Sequence, residues 1–464
     1  MMEKISILHT NDIHSHLDKW PRIRRYLTNV KEKLYQNNHY DEVLTFDIGD
    51  AIDREHPLSE ATDGKYSIKL LNEINYDGVT IGNNEGITNS HEQLNDLYND
   101  ANFDIILANL MDGKNTIPSW AKPYKIIETK QHTRILVTGL TSPYVDTYKY
   151  LGWNVTDPIN SLEKLLKSQN GNFDMVILLS HLGITTDRKL AKRFSDLDII
   201  IGAHTHHLLV NGEMVNNSLL AAAGKWGEYI GQIDLELEHH RIIKKTAKVV
   251  ETTTLETNSE DLSEIKKYVD TGEKLLQQHR LGLLTSPMET NLIGPSRIVN
   301  ESLHALEEST GTEASIINSG LFLDGLPIGI TDENQIHKIL PHAMHPMIVE
   351  LDGYNLWRMV KEMLKNKNFL VKYQQQGMGF RGKYFGELNF LGIDYDTKKQ
   401  QLFWHGELVL PTNRYKISMP DHYLYIPFFP TIEIMGKNEI LYDQTLRSMF
   451  GRYISNHYPI EKGE

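Results

Sequence analysis

Seven side chains of this 464-residue chain have the types and spacing to hold two divalent cations side by side. They fall in five short segments: Asp12-Ile13-His14, Gly49-Asp50, Gly82-Asn83-Asn84-Glu85, Ser180-His181 and Ala203-His204-Thr205-His206. Each segment follows an apolar run that reads as a strand. Positions i and i+2 of an extended chain project to the same side, so Asp12 and His14 can meet one ion, and His204 and His206 again stand at i and i+2. Gly49 lets the backbone turn so that Asp50 bridges two ions, and Asn83 offers a neutral amide oxygen behind another glycine-ended strand. The expected arrangement puts one ion on Asp12, His14 and His206, and the other on Asn83, His181 and His204, with Asp50 shared. Nitrogen and oxygen ligation without sulfur suits Mn2+, Zn2+, Fe or Ni and does not choose among them. Two ions so placed clamp both the attacking and the leaving oxygen of a phosphoryl transfer.

Residues 1 to about 250 repeat one grammar: a short β-rich run, a turn bearing chemistry, an amphipathic helix. Strands are expected at Ile5–His9, Glu42–Phe46, Gly78–Ile81, Asp104–Ala108, Arg134–Leu140, Asp174–Leu179 and Asp198–Ile201. Helical patterns lie between them, at Tyr66–Asn75, Glu92–Asp100, Ile159–Ser168 and Asp187–Phe194. Such alternation predicts an α/β domain with largely parallel, buried strands and ligands at their carboxyl ends. An alternating stretch from Glu228 to Val250 reads as a closing hairpin. The expected division is a catalytic domain over 1–250, a linker with a helix over 251–282, and a second domain over 283–464.

Composition narrows the partners. A net charge of −13 argues against a nucleic-acid polymer, whose backbone is bound by surplus Lys and Arg. A small anionic substrate fits, because bound cations reverse the local sign of the site. The absence of cysteine excludes disulfides, thiolate metal sites and cysteine nucleophiles. No apolar stretch approaches the ~20 residues that span a bilayer, and no basic segment with an apolar core precedes Ile5. The expectation is a cytoplasmic protein with no membrane partner and an oligomeric state left open.

The order of these motifs resembles the calcineurin-like metallophosphoesterases, and within them the two-domain bacterial 5'-nucleotidase / UDP-sugar hydrolase / 2',3'-cyclic phosphodiesterase family. Ile7-Leu8-His9-Thr10-Asn11-Asp12-Ile13-His14-Ser15-His16 looks like that family's opening motif, and Asp77–Asn83 like the segment leading into its Gly-Asn-His-Glu signature. Asn318-Ser319-Gly320, Thr331–Pro341 and Leu351-Asp352-Gly353 resemble landmarks of its second domain. The resemblance implies a four-layer α/β/β/α catalytic domain, a linking helix and a smaller α/β C-terminal domain that binds substrate. It implies hydrolysis of nucleotides, or of nucleotide-derived phosphoesters and anhydrides, through a metal-bridging hydroxide.

Three departures stand out against that pattern. The family's catalytic histidine is replaced by Asn84, which cannot shuttle a proton; general-acid help of that kind is typically worth ~10²–10⁴-fold. Asn84 is therefore expected to orient a phosphoryl oxygen and to favour activated leaving groups. A Gly-Gly-hydrophobic-Arg motif of the second domain appears as Ser319-Gly320-Leu321-Phe322, losing an arginine, and a Gly-Gly-Asp stretch is replaced around Tyr423–Pro430. Arg54, in Gly49-Asp50-Ala51-Ile52-Asp53-Arg54, echoes a phosphate-contacting arginine of phosphatase-type relatives. Phe385, Phe428 and Phe429 are the candidates for stacking on a nucleoside base. The alternative to a phosphoesterase is a catalytically weakened nucleotide or metal sensor of the same fold.

Overall fold

The computed structural model describes residues 2–36, 40–375 and 380–460. The chain divides into two units, Met1–Gly272 and Glu273–Glu464.

Among the described residues, the first unit is built on two main sheets. In the seven-stranded sheet, β1 (Met2–Thr10) runs parallel to β2 (Glu42–Asp47), which pairs in parallel with β3 (Gly78–Val79). On its other edge β1 meets the antiparallel hairpin Tyr229–Glu238 and Arg241–Glu251. In the six-stranded sheet, β4 (Met175–His181) lies between Arg134–Thr141 and β5 (Ile199–Gly202), parallel to both.

Side-chain alternation stacks these sheets. Ile5 and Ile7 of β1 join Ile177 and Leu179 of β4 and Ile199 and Ile201 of β5 in one core between the sheets. The intervening residues face outward: Leu8 and Val43 pack on Ile23 and Leu27 of the helix Trp20–Gln36, while Val176 and Leu178 pack on Leu162 and Leu190 of the second helical layer. Strands buried on both faces are continuous apolar runs, and sheets covered on both faces give the helix–sheet–sheet–helix sandwich. The helix Trp20–Gln36 and the strands Tyr124–Glu128, Glu213–Val215 and Ser218–Ala221 were not among the expected elements.

The division between units falls inside the helix Asp261–Gln277, within the expected linker. Arg24 and Arg25 hold its first half to the first unit through Glu264 at 2.6 Å and Asp261 at 2.8 Å. Gly272 packs so closely that a methyl there would lie 2.2 Å from the Leu58 nitrogen.

The second unit has a five-stranded mixed sheet ordered Leu388–Leu391, Ala314–Asn318, Arg414–Pro420, Pro346–Asp352, Lys437–Ile440. Two base-stacking candidates are corrected here. Phe385 and Phe429 are 0% and 1% exposed in this unit's core, with ring centroids 6.2 Å apart in a T-shaped contact, so neither offers a face to a ligand. Phe428 is partly buried against Phe369 and Tyr373. Phe322, where the family pattern has arginine, is a core residue beside Phe450. No helix among the described residues is long and apolar enough to cross a membrane.

Candidate metal centre

Each of the five segments leaves the carboxyl end of a strand: Asp12 and His14 after β1, Asp50 after β2, Asn83 after β3, His181 ending β4, His204 and His206 after β5. Backbone pairing continues past the first strands, with the Asp12 amide donating to the Gly49 carbonyl at 3.0 Å and the His14 amide to that of Asp50 at 2.8 Å. Asp12, His14, Asp50, His204 and His206 all adopt positive φ, at 49°, 48°, 51°, 74° and 56°. The left-handed region is uncommon for side-chain-bearing residues and concentrates at functional sites. Five strained residues in one place mark the site as strongly as their chemistry does.

The structure brings all seven side chains together. Asp12, His14 and His206 form one cluster and Asp50, His181 and His204 a second, with ligand atoms within 4.8 Å of one another in each. His14 Nε2 lies 3.1 Å from His206 Nε2, and Asp12 Oδ1 3.6 Å from the latter. Asn83 Oδ1 lies 2.8 Å from His204 Nδ1 and 3.3 Å from His181 Nε2. Asp50 Oδ2 faces both groups, 3.6 Å from His14 Nε2 and 3.4 Å from His181 Nε2.

Charge supports the same use. Burial, then the neighbouring His181, pushes the His204 imidazole down to about 4; burial, then His14 and Lys225, pushes His206 to about 4. Both therefore present free lone pairs at neutral pH. Burial opposes charge on His181 and Asp50, but each holds the other ionised: the imidazole rises to about 10 and the carboxyl drops below its usual range. That proton neutralises charge where a cation would. Donor types, spacing and net negative charge all fit two divalent ions.

Supporting contacts lock the donors. His181 Nδ1 donates to the Ile48 carbonyl at 2.8 Å, which aims Nε2 at Asp50 and Asn83. Glu85 accepts from the backbone amides of Gly82 at 2.8 Å, Asp50 at 2.9 Å and Ile52 at 3.1 Å, tying two ligand-bearing turns together. A Cβ on Gly82 would lie 2.0 Å from Asp50 Oδ1, and one on Gly49 would lie 2.2 Å from the Gly82 nitrogen. Only glycine fits at either position.

Asn84 packs among the donors. Its amide nitrogen donates to the Ile52 carbonyl at 2.8 Å and lies 3.0 Å from His14 Nδ1, while its oxygen accepts from Asn83 at 3.1 Å. Its backbone amide donates to Asp50 Oδ1 at 2.7 Å. Asn84 thus touches three of the seven donor residues, and one of its two amide hydrogens is taken by the Ile52 carbonyl. Arg54 is engaged by Asp63, by Glu60 at 3.5 Å and by Asn89 at 3.3 Å. Residues not singled out in the sequence also border the site: Tyr144, 6.1 Å ring to ring from His204, and Trp226, whose amide donates to the Asp12 carbonyl at 2.7 Å. The Gly-Lys-Trp-Gly stretch around Trp226 reads only as a turn, so nothing local marks it.

Comparison with known proteins adds the family. Residues 5–208 match the family model of the calcineurin-like phosphoesterases. Over 97% of this chain and 98% of the relative, the sequence is 34% identical to the uncharacterized metallophosphoesterase YunD of Bacillus subtilis (strain 168). The chain belongs to the calcineurin-like phosphoesterases. A 22% identity to the trifunctional nucleotide phosphoesterase protein YfkN of Bacillus subtilis covers 78% of this chain but 28% of that protein. Among solved structures, the NAD nucleotidase of Haemophilus influenzae superposes with a TM-score of 0.64 over 98% of this chain and 97% of the other, at 16% identity. The 5'-nucleotidase precursor of Thermus thermophilus gives 0.58 over 99% and 98%, at 15% identity. The fold is that of the two-domain 5'-nucleotidases, and this phosphoesterase carries two candidate metal sites on its first unit.

Proposed function

We propose that this phosphoesterase hydrolyses nucleotide-derived phosphoesters and anhydrides, with one ion held by Asp12, His14 and His206, another by Asn83, His181 and His204, and Asp50 between them. The carrying observation is that one Asp50 oxygen faces both donor groups, 3.6 Å from His14 Nε2 and 3.4 Å from His181 Nε2. Cations bound there supply positive charge to the phosphoryl oxygens and lower the pKa of water for attack. The chain's own part is to fix the donors and shape the approach. Asn84 braces His14, Asn83 and Asp50, and as a neutral amide it hands no proton to a departing oxygen. Leaving groups that depart as stable anions are therefore favoured over sugar alkoxides. The nucleotide substrate class rests on the relatives' names, a nucleotide phosphoesterase and two nucleotidases.

The test is turnover of p-nitrophenyl phosphate against glycerol phosphate, both monoesters, after loading with Mn2+. A marked preference for the aryl ester is expected, and a preference for the alkyl ester overturns the account of the leaving group. No hydrolysis across a nucleotide panel by protein carrying two ions overturns the enzyme reading altogether.

A further inference from the structure

The donor cluster leaves open which cation of the chain meets the substrate's negative charge. Asn84 is neutral, the arginine of the family's second-domain motif is Phe322 here, and Arg54 already faces Glu60, Asp63 and Asn89. A different segment reaches the site. The loop Ala223–Gly227 is stitched to the first ligand segment: Asn11 donates to the Gly224 carbonyl at 2.8 Å, the Ala223 amide donates to Asn11 Oδ1 at 3.1 Å, and the Trp226 amide donates to the Asp12 carbonyl at 2.7 Å. The Gly224 amide also donates to the carbonyl of His207, the residue after His206, at 3.0 Å. The loop thus spans the Asp12 and His206 segments, on the side where His206 is the more open donor, its side chain 34% exposed.

At the tip, Trp226 holds φ at 59°, a conformation that bulky residues adopt only where their surroundings impose it. Its indole is the seat for a cation. Lys225 Nζ lies 3.7 Å from the ring centroid, the His16 ring sits 4.8 Å away at a tilt of 32°, and Lys19 donates to the Trp226 carbonyl at 3.0 Å. A ring quadrupole orients an ammonium without cancelling its charge. No carboxylate pairs with Lys225 among the described residues.

We propose that Lys225, seated on Trp226, binds an anionic phosphate oxygen of the substrate at the Asp12–His14–His206 end of the site. The inference rests on the phosphoesterase reading and deepens it. A compact ammonium acts as a point charge on one oxygen, so the class it selects is a phosphate carrying two negative charges, such as a terminal phosphate, over a singly charged diester.

The test is equilibrium binding of inorganic phosphate, by calorimetry, to metal-loaded wild type, Lys225→Gln and Lys225→Arg, with metal content measured on the same samples. Lys225→Gln is expected to weaken phosphate binding about tenfold, as for loss of one hydrogen bond to a charged group, with two ions retained and a shallower salt dependence. Lys225→Arg should keep most of the affinity. In hydrolysis, Lys225→Gln should raise KM for p-nitrophenyl phosphate more than for its diester, with kcat little changed. Phosphate binding equal to wild type in Lys225→Gln, a loss of metal accompanying the loss of phosphate, or a wild type that binds no phosphate each overturns the proposal. Lys225-dependent phosphate binding in a protein that hydrolyses nothing would sustain it while sinking the enzyme reading.

Discussion

At the scale of single residues, the site depends on two close approaches and one amide. Gly82 lies against the Asp50 carboxylate, and a methyl there would overlap Oδ1 at 2.0 Å. Gly82→Ala is therefore expected to displace the shared ligand and lose at least one ion per chain, read by elemental analysis of purified protein. Full metal content in that variant would show that Asp50 is not where the two clusters meet. Asn84→Ala removes the brace on His14 and Asn83. Supporting contacts of this kind are worth about 10–100-fold in metal affinity, so chelator competition should show a loss of that order. Unchanged affinity with lost turnover would instead return Asn84 to direct contact with substrate. The candidate donor types and their order along the chain were legible in the sequence because metal chemistry allows few donors. The extended geometry expected of the i, i+2 pairs was not met: Asp12, His14, His204 and His206 all turn at positive φ, and His204 and His206 join different clusters. The use of Asn84, Glu85 and Trp226 was not legible, because it depends on which backbone atoms lie opposite them.

At the scale of elements, continuous apolar runs identified β1, β2, β4 and β5, since strands buried on both faces tolerate little else. Edge strands such as Tyr124–Glu128, half exposed, lack that signature, and short ones such as Ser218–Ala221 offer too few residues for a period to show. The base-stacking expectation failed for a related reason. An aromatic in a core and one in a binding cleft look alike in sequence, and Phe385 and Phe429 are core. β1 also carries a titration that the sequence hides. His9 is 1% exposed, and Gly231 on the paired strand is kept free of a Cβ by its ring. Burial lowers its pKa from 6.5 to about 4, so the folded chain keeps it neutral where the unfolded chain takes up a proton. The unfolded state binds more protons between these values, so stability rises with pH across that window and is lost on acidification. The span corresponds to roughly 3 kcal/mol. Urea unfolding at stepped pH should show this slope in wild type and a flatter one in His9→Leu; equal slopes would mean that other groups carry the acid sensitivity.

At the scale of the whole molecule, every proposed ligand lies between residues 12 and 206, within the unit Met1–Gly272. Two buried carboxylates and four imidazoles then face one another across a few ångströms, an arrangement whose charge is balanced only in part by the His181 proton. Ions that bind the folded site and not the unfolded chain stabilise by mass action, about 2.7 kcal/mol for each at one hundred times its dissociation constant. Because the ligands belong to one unit, the effect should be local. Differential scanning calorimetry of chelator-treated protein, titrated with Mn2+, should raise the transition belonging to the first unit by several degrees per ion, as expected for 1–3 kcal/mol in a domain above 200 residues. The transition of Glu273–Glu464 should move less. Equal displacement of both would mean that the units unfold as one cooperative block, and no displacement at millimolar Mn2+ would mean that the seven side chains do not hold metal in solution.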